Sequence, residues 1–161
     1  MKTEPQKEHA WLQQLVGEWV YETECSMEPG KPAERFSGVE TVRSLGDLWI
    51  LCEGRGQMPG GGEATTLMTL GYDTARKQYV GTWVGSMMAH LWVYEGSMDA
   101  GERVLTLSAE GPNCMEEGKI GKYRDVIEIK DRDHRLLTPY MLGDDGEWRP
   151  MMSVTYRRKT S

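Results

Sequence analysis

Tyr79, Gly81, Trp83, Gly85 and Met87 alternate along one face of an extended segment, and Met88, His90, Trp92, Tyr94 and Met98 share one face of the next. If both faces turn inward, two indoles, an imidazole and two phenols line one wall, with glycines leaving room between them. Such a wall suits a flat apolar ligand with one polar group. The same rings can also fill a solid core. His90 is the only histidine within an apolar stretch. It could ligate haem iron, act as a general base, or donate a hydrogen bond to a ligand. A core histidine satisfied by a neighbour is the plain alternative. Asp125 falls on the side of Tyr123, Ile127 and Ile129, where a carboxylate needs a cationic or hydrogen-bonding partner. Arg55 or Arg124 could meet it and orient a ligand acid, or could form salt bridges at a rim. The candidate ligand-binding set is therefore Tyr79, Trp83, Met87, His90, Trp92, Tyr94, Arg55, Arg124 and Asp125.

Other chemistry has less support. No His pair at i,i+4 and no Cys pair suggests zinc, so no metal is expected. Pro59-Gly60-Gly61-Gly62 lacks the Gly-Lys-Ser/Thr ending of a phosphate loop and precedes a strand. No Gly-x-Ser-x-Gly, His-Glu-x-x-His or dinucleotide fingerprint is present. Eleven methionines suit either an adaptable cavity or ordinary core filling.

The elements that must position these residues follow from periodicity. Residues 5–16 predict the one notable helix: Pro5 suits its start, Ala10, Trp11, Leu12, Leu15 and Val16 form its apolar stripe, and Gly17 ends it. From Gly17 the period becomes two, with Trp19, Tyr21, Thr23, Cys25 and Met27 on one face. A turn over Glu28–Pro32 follows. Further strands are predicted over 34–45, 48–57, 64–72, 77–87, 88–98, 103–110, 120–130, 134–142 and 147–158. About ten strands at regular spacing favour a sandwich or a barrel. The steady hairpin order favours an all-β, up-and-down antiparallel barrel, because closure removes both unpaired edges. Gly17, Trp19, Tyr156, Arg157 and Arg158 would form the seam, an indole stacking on a guanidinium. A two-sheet sandwich is the alternative architecture.

With 161 residues, the chain reads as one domain, with the barrel over 17–158. Nineteen glycines and seven prolines suit many turns. A net charge of −6 without a basic block makes nucleic acid and anionic membrane poor partners. The polar start lacks a signal-peptide core, no apolar run reaches membrane-spanning length, and three scattered cysteines fit a reducing compartment, so a cytoplasmic protein is expected. The second faces of the central hairpin, Val80/Thr82/Val84 and Ala89/Leu91/Val93, are also apolar. A homodimer interface would cover whichever face points outward.

The blocks Trp11–Trp19, Thr65–Asp73 and Gly81–Met88, extended by Leu91–Gly96 and Tyr123–Val126, resemble a bacterial family of uncharacterised proteins, domain of unknown function 1579. The resemblance implies a lipocalin-like (calycin) barrel and no established activity. Gly17-x-Trp19 is similar to the lipocalin opening motif, with Arg157 or Arg158 as the stacking partner. The chain ends Tyr156-Arg157-Arg158, where fatty-acid-binding proteins carry Arg-x-Tyr. It also lacks the glycine-rich Tyr-Pro segment of nitrobindin-type haem barrels, so neither fatty acid nor haem is the expected cargo, and no cofactor is assigned. Three functions follow from these readings: a carrier of a small apolar or amphipathic molecule; an isomerase or hydrolase using His90 or Asp125 as acid–base group; and a protein-interaction scaffold.

Overall fold

The alternation that begins at Gly17 folds as one continuous antiparallel ladder. The computed structural model describes residues 2–25, 30, 32–58 and 60–160, with only the backbone of Cys25. Met27, most of the turn expected over Glu28–Pro32, the side chain of Cys25, and Pro59 of the glycine-rich loop lie outside the described residues. Helix α1 spans Lys7–Gln13, and the strands are β1 Gly17–Cys25, β2 Glu34–Leu45, β3 Trp49–Gln57, β4 Glu63–Asp73, β5 Gln78–Gly85, β6 Trp92–Met98, β7 Val104–Pro112, β8 Ile120–Asp131, β9 His134–Leu142, β10 Trp148–Pro150 and β11 Ser153–Arg158.

Each strand from β1 to β9 pairs with the next, β9 pairs with β11, and β11 returns to β1, closing an all-β barrel. The closing register sets Trp19 opposite Arg158, Tyr21 opposite Tyr156 and Thr23 opposite Val154. Closure leaves no long free edge for another chain to extend. β10 continues the ladder of β11 along β9, so the two occupy one of ten positions around the barrel. The single strand expected over 147–158 is thus interrupted at Met151 and Met152. Pro150 has no N–H to give the ladder, and the Met151 N–H holds the bend by donating to the Pro139 carbonyl at 2.8 Å.

The central hairpin departs from the strands expected over 77–87 and 88–98. Residues 86–91 connect β5 to β6 and belong to neither strand. The Met88 N–H returns to the Gly85 carbonyl at 3.2 Å, while the Ser86 N–H reaches Thr65 on β4 at 2.8 Å. A chain reversal between paired strands needs such a connection, although no glycine or proline after Gly85 announces it.

Helix α1 is shorter than the expected 5–16 and closes one end of the barrel. Gln6 caps it: the Gln6 N–H donates to His9 Nδ1 at 2.9 Å, which leaves His9 Nε2–H to donate to the Tyr72 carbonyl at 3.1 Å. Trp11 Nε1 donates to the Glu102 carbonyl at 2.7 Å and Gln13 Nε2 to that of Trp49 at 3.3 Å, pinning the helix to the β6–β7 turn and the start of β3. Leu12 and Leu15 enter the barrel and meet Trp19, Ile50, Leu70, Leu105, Leu107 and Ile127, none more than 2% exposed. This end is solidly packed.

Arg158 completes the seam. Its guanidinium lies 4.3 Å from the Trp19 ring centroid. It donates to the carbonyls of Val16 at 2.8 Å, Gln14 at 2.9 Å and Arg132 at 3.1 Å. Arg157 points outward and is exposed. Period two decides between these neighbours, because Tyr156 and Arg158 share the inward face with Trp19.

Candidate functional site

At the end opposite α1 the inward faces change character. Tyr21, Thr66, Trp83, Trp92, Tyr123, Asp125, Leu137 and Met141 point into the barrel yet keep part of their surface accessible. Among the described residues the interior therefore has two layers, a dry plug beneath α1 and, toward the far rim, a bowl of partly accessible side chains.

Small residues shape the bowl by letting rings lie against its wall. Tyr21 lies over Gly38 and Gly56; a Cβ added at Gly56 would stand 1.9 Å from Tyr21 Oη. A Cβ added at Gly111 would stand 2.3 Å from Trp92 Cζ3. Trp83 and Trp92 are directly paired on β5 and β6. The edge-to-face series continues from His90 to Trp92 at 4.7 Å and from Trp92 to Tyr123 at 5.1 Å. Tyr123 is fixed by its hydroxyl, which donates to the Pro112 carbonyl at 2.7 Å and accepts from the Cys114 N–H at 3.1 Å.

Two polar pairs form the floor. Tyr94 Oη donates to Asp125 Oδ2, joining β6 to β8 across the inward face of β7, where Ala109 is small. Burial pushes the Asp125 carboxyl above its ordinary value, with the Tyr94 hydrogen bond opposing. Burial also pushes the Tyr94 hydroxyl far up, and the neighbouring Asp125 charge adds to this. The second pair is Arg135 Nη2 donating to Glu40 Oε1. Arg135 is 4% and Glu40 9% exposed. The Arg135 guanidinium lies 3.8 Å from the Tyr156 ring centroid and 4.6 Å from that of Trp19. Among the described residues, Arg135 Nε is buried without a partner. Burial, followed by the Glu40 charge, holds the nearby Cys52 thiol protonated.

The candidate residues divide accordingly. Trp83, Trp92, Tyr94 and Asp125 come together in the bowl. Met87 and His90 sit in the 86–91 connection at the rim, not on a strand face, and His90 Nε2 lies 3.3 Å from the Glu110 carbonyl. Tyr79 is inward but 4% exposed, packed beneath Tyr72 at 4.9 Å at the plugged end. It lines a separate hollow of ≈ 450 Å³ beside α1, with Glu8, Trp11, Lys77 and Glu102. Arg55 and Arg124 point outward: Arg55 is 3.8 Å from Glu53, and Arg124 covers the Trp148 ring at 4.0 Å. Neither meets Asp125, because each adjoins an inward-facing residue on its own strand. The outward strip expected to self-associate leaves Val84, Leu91 and Val93 exposed at 39, 53 and 57%.

Sequence reasoning missed Arg135 and the aromatic cage around it. The available signal was an ionisable residue at inward parity on each of two strands, Glu40 between Gly38 and Val42, and Arg135 two before Leu137. Tyr21 and Tyr123 were legible as inward residues, but not as bowl lining.

Among solved structures the barrel is similar to Rv2717c from M. tuberculosis, with a TM-score of 0.62 at 11% identity, covering 98% of this chain and 100% of that one. It is also similar to the S-type phycobiliprotein lyase CPES from Guillardia theta, with a TM-score of 0.56 at 13% identity, covering 98% and 99%. These likenesses show a shared fold. No functionally curated protein matches the sequence. The family model described as protein of unknown function (DUF1579) matches residues 4–158, and the chain belongs to that family.

Proposed function

We propose that the barrel binds a small apolar or amphipathic molecule in the bowl opposite α1. The observation that carries this reading is the division of the interior. Leu12, Ile50, Leu70, Leu105 and Leu107 are sealed, whereas inward-facing Trp83, Trp92, Tyr123 and Asp125 keep accessible surface. Concave, mostly apolar surface with few convergent polar groups is the usual form of a small-ligand site. The fold shared with the phycobiliprotein lyase supplies the container alone.

Titrating indole emission with a library of small apolar and amphipathic molecules tests the reading. A saturable change that Trp92→Ala weakens supports it. Emission unmoved by the whole library overturns it.

An isomerase or hydrolase reading would use Asp125 as acid–base group. The Tyr94–Asp125 contact favours it, since two titratable groups meet inside the bowl. NMR of a bound ligand before and after incubation reads this directly: recovery of unchanged ligand leaves binding alone. The exposed strip of Val84, Leu91 and Val93 supports self-association as a further property. Sedimentation equilibrium of the native chain against Val93→Lys reads it, and a monomer at every concentration ends it.

A further inference from the structure

We propose that the bowl selects a flat ligand carrying a protonated amine, with Asp125 as its counter-ion and the Trp83, Trp92 and Tyr123 rings as its wall. This rests on the bowl being a ligand site, and it adds the chemical class of the guest.

Charge below the rim is unevenly matched. At inward parity the described strands carry Glu40, Arg135 and Asp125 between rim and plug, with Glu34 and Arg149 at the far rim itself, where Asp145 holds Arg149. Glu40 and Arg135 neutralise each other. Among the described residues, Asp125 has no cation beside it; its described partner is the Tyr94 hydroxyl on Oδ2. A carboxylate offers about four acceptor sites, so a single hydrogen bond leaves most of its capacity open. The influences on its acidity agree, comprising burial and that one hydrogen bond, with no guanidinium or ammonium among them. A cationic guest supplies the missing partner.

The wall is aromatic. Trp92 and Tyr123 meet edge to face at 5.1 Å, and Trp83 is the cross-strand partner of Trp92. Aromatic faces attract cations and stack on flat rings. A protonated amine on a planar ring uses both properties at once. A net charge of −6 also favours the approach of cations to the protein as a whole.

An acidic guest fits less well. It would bring a second carboxylate near Asp125, a like-charge contact that neither group tolerates. Arg135, the one buried guanidinium among the described residues, already holds Glu40 and is stacked against Tyr156 and Trp19.

Calorimetric titration with three probes sharing one ring separates these cases: 1-naphthylmethylamine, 1-naphthalenemethanol and 1-naphthoate, at one pH and ionic strength. The expected order is amine, alcohol, acid, with the amine roughly tenfold tighter than the alcohol, as a charged hydrogen bond warrants. In Asp125→Asn the amine should fall to the affinity of the alcohol. Amine and alcohol binding equally well would overturn the amine selection while leaving the bowl as a ligand site. Tightest binding of 1-naphthoate would also overturn it and would point to Arg135. Binding of none of the probes would overturn the selection, and the indole titration then reports separately on the bowl itself. The ranking on the native chain stands even if Asp125→Asn does not fold. Tyr94→Phe, which frees Asp125 Oδ2, provides a second variant, and it should keep or widen the preference for the amine. Loss of that preference would count against Asp125 as the counter-ion.

Discussion

Asp125 is held where an ionised carboxylate is disfavoured, and this has a measurable cost in stability. Its carboxyl is pushed above the ordinary carboxylate value of 3.8. Between that value and its folded value the native state holds the proton more firmly than the unfolded chain does. The stability from this group is therefore complete below pH ~4 and is lost as pH rises through the folded value. Asp125→Asn removes the decline and can still accept from Tyr94. The variant should gain on the native chain as pH rises, ending the more stable of the two at neutral pH. Urea unfolding across a pH series reads the difference, and a gap that does not change with pH would contradict it. The Glu40–Arg135 pair behaves differently, because its two charges satisfy each other. Glu40→Gln strands a guanidinium that is 4% exposed and should cost ~3–5 kcal/mol, whereas Glu40→Gln combined with Arg135→Met should recover most of the loss. A double-mutant cycle in urea measures the coupling; additive losses would mean that the pair is not a unit.

At the scale of elements, adjacent strands β2 and β3 make room for Tyr21 by placing Gly38 directly beside Gly56. The two glycines differ in what a methyl group would meet. At Gly38 a Cβ would stand 2.4 Å from the backbone oxygen of Arg55, which cannot yield without distorting β3. At Gly56 the nearest obstacle is the Tyr21 hydroxyl, at the far end of a side chain, with backbone no nearer than 3.1 Å. Gly38→Ala should therefore cost ~1–3 kcal/mol and Gly56→Ala less. Thermal melts of the two variants test the order, and equal losses would argue against strand–strand crowding as the cause. This region was only partly readable in the chain. Alternation showed that Tyr21, Gly38 and Gly56 share the inward side, but not that one ring lies over both glycines.

For the whole molecule, closure at Arg158 is the decisive contact. One guanidinium ties the end of α1, the start of β1 and the β8–β9 turn through the carbonyls of Gln14, Val16 and Arg132. Arg158→Ala should cost ~2 kcal/mol and raise hydrogen exchange in α1 and the β1–β11 ladder while sparing β4–β7. Arg157→Ala, on the outward side, should stay within ~0.5 kcal/mol. Similar losses in the two variants would remove the distinction between the neighbours. The helical plug gives the molecule its polarity: one end is filled by Leu12 and Leu15, whereas inward-facing side chains toward the other keep accessible surface.

Taken alone, the sequence determined the all-β architecture, the helix ahead of the barrel, most hairpin positions and the seam, because period-two alternation and turn residues are local signals. The seam was legible because Trp19 and Arg158 share a face at the two ends of a ladder that must close. The bowl was decided by tertiary structure. β5 and β6 are apolar on both faces, so alternation could not say which face turns inward, and only the curvature of the closed sheet settles it. Residues 86–91 carry no glycine or proline, so the connection holding Met87 and His90 read as strand. The partners of the buried charges could not be read either: Arg135 meets Glu40 across 95 positions and Asp125 meets Tyr94 across 31. Pairing at such separations is set by strand order and register around the barrel, properties that no local stretch of residues contains.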